Sequence, residues 1–309
     1  MSSAAKTLLG ISDRVRRVGT MLHDRYLLAR LYSKIDCRGE EVSTLIREKL
    51  AGPQPVMISR FGSFELAALR QIELIAEGHR RWNPGDFRNL HTNAGFFPLT
   101  KIALERFYER YLQDMRLVDV LGSWSAPEVY FLEQTRRALR VPLSDLEPYY
   151  HREPWSAVLS GRRVLVIHPF EQSIRNQYER REQLFAHQQI LPSFELKTLR
   201  AVQSMPGASH AYSSWFDALH DMEDRVSREE FEIAIIGCGA YGMPLAAHVK
   251  RLGKKAVHLG GATQVLFGII GKSWESVPRV SALMNSSWVR PLAEESFPNQ
   301  RSFEKDAYW

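Results

Sequence analysis

The sequence predicts an α/β protein in which a mostly parallel sheet carries helices on both faces and follows a helical N-terminal extension. Three observations predict it. Short apolar runs ending in glycine-bearing turns alternate with stretches of helical periodicity through residues 53–309. A complete strand–helix–strand unit runs from Phe231 to Leu259, which is the compact βαβ arrangement that places two strands parallel. The 309 residues are 44% hydrophobic and 25% charged, so the chain can bury a sizeable core without metal or disulfide staples.

Residues 1–52 form the extension. Leu8, Leu9, Ile11, Val15, Val18, Met21, Leu22, Leu27, Leu28 and Leu31 recur at helical spacing among basic residues. Residues 1–39 hold eight basic and three acidic side chains, five of the six excess charges of the whole chain. A basic amphipathic helix either packs on the protein body or on a second subunit of a homo-oligomer, or lies on an anionic membrane surface. Asp13 and Asp24 interrupt the basic face, which favours packing. The rest of the chain is close to neutral, which argues against an extended nucleic-acid groove. Cys37 and Cys238 match no metal-ligand spacing. No apolar run is long enough to span a bilayer, and the first residues lack a secretory core. The expected location is cytoplasmic, or peripheral at the inner membrane face through the basic helix.

Glu40 to Leu50 reads as a helix ended by Ala-Gly-Pro-Gln-Pro at 51–55. The α/β part then opens with a strand over Val56–Ser59, a turn at Gly62 and a helix over Phe64–Ala76. After a loop over Asn83–Pro98 come a helix over Thr100–Leu112, a strand over Val118–Gly122 and a helix over Pro127–Leu139. Arg163–His168 is a continuous apolar strand, followed by helix over Ser173–His187 and strand over Phe194–Thr198. Helix over Trp215–Val226 leads to the strand Phe231–Ile236, the turn Gly237–Gly242, the helix Met243–Leu252 and the strand Lys255–Leu259. The aromatic-bearing final thirty residues read as an irregular tail that packs down.

Strand ends in such sheets line one edge, where ligands bind, so the turns there are the candidate site. Gly237-Cys238-Gly239-Ala240-Tyr241-Gly242 matches Gly-x-Gly-x-x-Gly between a strand and a helix. Its glycines let backbone N–H groups approach a phosphate at the helix start. A dinucleotide site would also want a carboxylate at the end of the next strand. That strand ends in His258-Leu259-Gly260-Gly261, which disfavours an NAD(P)-dependent oxidoreductase. Gly260 and Gly261 make a second glycine turn, with Thr263 and Gln264 placed to hydrogen-bond a phosphate or sugar, or Thr263 to cap the following helix. Arg60, Gly62, Ser63 and Glu65 make a third, where Arg60 suits a phosphate and Glu65 a cation or a base. Alternatively Ser63 caps that helix and Glu65 complements its dipole. His168 and Glu171, after the fourth strand, are placed for proton transfer. Asp119 is a carboxylate inside an apolar strand that must find a metal or an arginine, and with Glu65, Glu171 and His168 it is a candidate catalytic base. Asn93–Pro98 and Trp124 offer aromatic surface for a base or sugar, or simply core packing.

Two of these segments carry a resemblance. Phe231–Glu275, with its Ile-Ile-Gly-Cys-Gly-Ala-Tyr-Gly and Leu-Gly-Gly-Ala-Thr-Gln runs, resembles the C-terminal part of GT-D type glycosyltransferases. Ser59-Arg60-Phe61-Gly62 is similar to that family's N-terminal motif. The resemblance implies a Rossmann-like fold and transfer of a sugar from a nucleotide-sugar donor, a UDP-hexose, to a glycan or glycoconjugate acceptor. It also implies help from Mn²⁺ or Mg²⁺ held by an Asp-x-Glu motif. Here those positions read Ser63-Phe64-Glu65, so only Glu65 carries over as metal ligand, and a non-catalytic relative in surface-polysaccharide assembly is the second reading.

Overall fold

The computed structural model describes residues 21–204 and 211–295. Residues 1–20, where most of the basic extension and its expected membrane or subunit contact fall, lie outside the described residues, as does Trp309. The first described element is the helix α1, seen over residues 21–32. Its Leu27 and Leu31 are buried against Ala126 and Val129, so this part of the extension packs on the body of the protein. None of the described helices is long and apolar enough to cross a membrane.

Helix α2 (Glu40–Ala51) precedes β1 (Val56–Arg60), α3 (Ser63–Ala76), α4 (Arg88–Ala94), α5 (Lys101–Met115), β2 (Val120–Ser123) and β3 (Leu139–Pro142). Then come β4 (Arg163–His168), α6 (Glu171–Glu179), β5 (Glu195–Arg200), α7 (Trp215–Arg228), β6 (Ile233–Ile236), α8 (Gly242–Arg251), β7 (Lys255–His258) and α9 (Ala262–Leu266). The seven strands form one sheet in the order β3-β2-β1-β7-β6-β4-β5. Every pairing is parallel, so all strands end on the same edge.

The period of two in each strand sorts the core into two layers. Met57, Leu165, Ile167, Ala234, Ile236 and Ala256 face α3, α5, α7 and α8. Val56, Ile58, Val164, Val166, Ile233, Ile235 and Val257 face the other side, with Val42, Ile46 and Leu50 of α2. The packing therefore crosses the division expected near residue 52. Both faces of the central strands are dry, which is why β1, β4, β6 and β7 read as largely apolar runs, whereas the edge strand β5 is polar and half-exposed.

Two expectations fail here. Pro127–Leu139 is not a helix: a 3₁₀ segment over Ala126–Phe131 and turns lead into β3, whose edge position tolerates Pro142. Asp119, expected to meet a metal or an arginine and proposed as catalytic, precedes β2 at the opposite edge of the sheet from the strand ends. Its carboxylate accepts the Met57 N–H at 2.8 Å and pairs with Lys250 at 2.6 Å, tying β1, β2 and the end of α8 together. Asp119→Ala should therefore cost about 1–3 kcal/mol by leaving that N–H and the lysine unpaired. Urea unfolding reads this loss, and an unchanged midpoint would show that the pair contributes nothing.

Candidate functional site

The strand ends enclose a cavity of about 160 Å³. It spans the termini of β1, β7, β6 and β4, with residues 93–95 and 202–204 as its far wall. Between β4 and β6 the chain's direction across the sheet reverses, since β4 leads outward to β5 and β6 leads inward to β7. Such reversals leave a crevice for ligands in open parallel sheets. The volume is below the roughly 300–1,000 Å³ that encloses a whole drug-sized ligand, so it suits a diphosphate or one sugar with the remainder on the rim.

Three glycine turns converge on this space, and Gly237, Gly62 and Gly242 each sit against a close neighbour. A Cβ on Gly237 would stand 2.5 Å from the Gly260 carbonyl oxygen and 2.9 Å from His168 Cδ2. One on Gly62 would overlap the Glu65 carboxylate at 1.8 Å. Gly242 leaves room for the His258 ring, whose Nε2 would lie 2.2 Å from an added Cβ. Gly239 adopts φ 55° and Gly260 φ 61°, the left-handed region glycine enters without cost. The turn after Gly237 runs through a short 3₁₀ stretch into α8, whose opening N–H groups have no intrahelical acceptor. Pro244 fits there because a first turn needs no N–H from it.

Arg60 supplies the positive charge. Its Nε and Nη2 donate to the Phe61 carbonyl at 3.0 and 2.8 Å, and its guanidinium stacks on Trp124 at 5.1 Å. Trp124 Nε1 donates to the same carbonyl at 3.1 Å, so the aromatic acts as a platform under Arg60. Nη1 is directed at Gly260, 3.4 Å from where its Cβ would be. Arg60 forms no ion pair with any described carboxylate; Glu147 senses its charge only at longer range. A half-buried guanidinium held this way keeps a charge that an anion in the cavity could meet.

Glu65 is 5% exposed and folds back over Gly62, which is the N-cap of α3; Ser63 is the first helical residue and does not cap it. His168 is equally buried, and its Nδ1 accepts the Phe170 N–H at 3.0 Å, which fixes the ring proton on Nε2. His258 pairs through Nδ1 with Ser59 Oγ at 3.0 Å. Tyr241 stacks on Trp215, and its hydroxyl meets Ser204 Oγ, which donates to the Gly95 carbonyl. That relay joins three distant segments into the far wall.

The structure thus brings together Arg60, Gly62, Ser63, Glu65, His168, Gly237, Gly239, Tyr241, Gly260 and Gly261 around one cavity. It does not bring in the rest. Glu171 turns to β5, accepting Thr198 Oγ1 at 2.7 Å and Arg175 at 2.8 Å. Thr263 and Gln264 are wholly buried inside α9; Thr263 Oγ1 donates to the Ile236 carbonyl, so it neither caps the helix nor reaches the cavity. Gly242 serves His258 by packing. The aromatics Phe96 and Trp124 go to the core and to Arg60. Sequence reasoning missed His258 and Ser204 as lining residues. His258 ends its strand just as His168 does, a repeat that signals it; Ser204 has no local signal.

A divalent cation of the expected kind takes several oxygen ligands. Among the described residues Glu65 is the single carboxylate lining the cavity, accompanied by the Ser63 hydroxyl and two imidazoles whose Nδ1 atoms are engaged. Among the described residues no group of three or more His, Cys, Asp and Glu is arranged to hold an ion. This donor set builds no all-protein cage for Mn²⁺ or Mg²⁺, so a cation here would depend on the phosphates of a ligand for most of its oxygens.

Burial pushes His168 down to about 3 from 6.5, and burial with the charge of Arg60 does the same to His258. Both rings are neutral in the fold, whereas the unfolded chain protonates them below about pH 6.5. Their contribution to stability is complete above that pH and falls toward pH 3, by about 1.4 kcal/mol per pH unit for each ring. Urea unfolding between pH 7.5 and 5 should show this decline, and His168→Gln should remove one proton from the slope. A profile that is flat over that range contradicts two buried neutral rings.

No protein-family model matches the chain, and no curated protein does. Two solved structures are similar to it. One, described as a selenomethionine-substituted structure of the domain of unknown function 1792, is 12% identical, with 77% of this chain and 82% of that one covered and a TM-score of 0.43. The other, described as the highly conserved domain of unknown function 1792 with a distinct glycosyltransferase fold, is 12% identical over 71% of this chain and 82% of that one, at a TM-score of 0.32. At these identities and TM-scores neither likeness carries an argument about fold or chemistry. The chain is a seven-stranded parallel α/β protein, and one of the two similar structures is described as having a glycosyltransferase fold.

Proposed function

We propose that the protein is a glycosyltransferase that uses a nucleotide-sugar donor, a UDP-hexose, and a hydroxyl of a glycan or glycoconjugate as acceptor. The observation that carries this reading is the half-buried Arg60, free of any described ion pair, at a cavity where three glycine turns converge on the strand ends. A diphosphate is the anion that such a set of donors accommodates: two phosphates in line, approached by backbone N–H groups and one guanidinium. In the transfer, the bond between the sugar C1 and the diphosphate oxygen breaks, and its electron pair leaves with the nucleoside diphosphate. The acceptor oxygen bonds to C1, and its proton passes to the Glu65 carboxylate. The charge that develops on the departing oxygen is what Arg60 stabilises.

Two alternatives rest on named residues. The carboxylate that would hold a nicotinamide cofactor's ribose is replaced by buried His258, and nothing else in the cavity favours the oxidoreductase. Ser63, standing where the resembled family has aspartate, favours a binding protein without turnover.

UDP at a hundred times its Kd should stabilise the protein by about 2.7 kcal/mol, a rise in Tm of about 5 °C, and NAD should not. Arg60→Ala, at the same UDP concentration, should cut the rise to about half or less. Glu65→Gln should keep it while stopping the release of UDP from a UDP-hexose in the presence of acceptor. Absence of any shift with the common nucleoside diphosphates rejects the reading. A shift without release in the wild-type chain assigns it to the non-catalytic alternative.

A further inference from the structure

We propose that the chain itself supplies the countercharge for the leaving diphosphate: Arg60 takes the place of a divalent cation, and His168 acts as a fixed neutral Nε2–H donor, so that donor binding and transfer need no metal. The inference rests on the reading of the cavity as a diphosphate site and goes beyond it, because the resemblance implies a metal.

Three observations carry it. Among the described residues the cavity offers a hard cation one carboxylate, Glu65, with Ser63 where the resembled family has the second, whereas the guanidinium of Arg60 stands at the cavity with no ion pair to a described carboxylate. His168 is 5% exposed and lines the cavity, its Nδ1 is committed to the Phe170 N–H, and its Nε2 has no partner among the described residues. A ring held in this tautomer donates through Nε2 and has no lone pair with which to accept a proton there. His168 therefore cannot be the base expected from its place in the sequence. Lastly, the two donors bracket the point where the glycine turns touch. Arg60 Nη1 approaches Gly260 from β1, and His168 Cδ2 approaches Gly237 from β4.

The ends of β1 and β4 are three strand intervals apart, about 14 Å, and the two side chains approach the glycine turns between them. A diphosphate lying over Gly237 and Gly260 would stand between the two donors. During transfer the C1–O electron pair moves onto the diphosphate oxygen. That oxygen gains charge opposite Arg60 and the Nε2–H, and neither donor gives up its proton. The acceptor proton goes to Glu65, so charge and atoms balance without an added Lewis acid.

Isothermal titration of the full-length protein with UDP, in EDTA and again with Mn²⁺, tests this. The Kd should agree within about threefold between the two buffers, and Arg60→Ala should weaken binding by about tenfold or more in both. His168→Phe should weaken binding, while His168→Gln, whose amide N–H can stand where Nε2–H does, should restore most of the affinity; urea midpoints confirm that each variant is folded. Binding seen only with Mn²⁺ overturns the inference and leaves the diphosphate site intact. Equal loss in the Phe and Gln variants of His168, with both folded, overturns the donor role. No UDP binding in either buffer overturns the inference together with the proposed function.

Discussion

Arg60 is the interaction on which the rest of the site depends. A guanidinium removed from bulk water costs free energy unless its N–H groups are satisfied and its charge is met. The protein meets the first demand with the Phe61 carbonyl and the Trp124 ring, and leaves the second to whatever enters the cavity. The arrangement makes sense of Trp124, which the sequence offers as a ligand platform and the structure uses as a platform for arginine. It also adds to the neutrality of His258: burial is the main cause, and a second cation beside Arg60 would in addition be repelled.

The glycines follow from the same constraint. Four strand ends can share a phosphate-sized cavity only if the turns leaving them touch, and a single methyl at Gly237 would collide with the Gly260 carbonyl and the His168 ring. Gly62 plays the corresponding part for Glu65, letting the carboxylate lie over the start of α3. The pattern Gly-x-Gly-x-x-Gly is therefore satisfied, but its glycines divide their work. Gly237 and Gly242 provide close packing, and Gly239 provides the left-handed turn.

Much of this was legible in the chain because it is local. The strand–turn–helix from Ile233 to Arg251 and the Arg60–Glu65 turn declare themselves through apolar runs meeting glycine, and each lies where expected. What was not legible depends on partners far away in sequence. Asp119 looks like a buried acid in search of a metal until Lys250 arrives from α8. Thr263 looks like a ligand residue or a cap until α9 turns it inward against Ile236. The strand β3 hides because it has four residues and ends in proline, and only β2 beside it makes it a strand. The far wall through Gly95, Ser204 and Tyr241 joins residues over a hundred positions apart, and no sequence period records that.

The account stands or falls on where the diphosphate lies. A crystal structure of the protein with bound UDP tests it most directly. It should show the two phosphates over Gly237 and Gly260, with Arg60 Nη1 on one side and His168 Nε2 on the other. A diphosphate seated elsewhere, with Arg60 still turned only to Phe61 and Trp124, would contradict it.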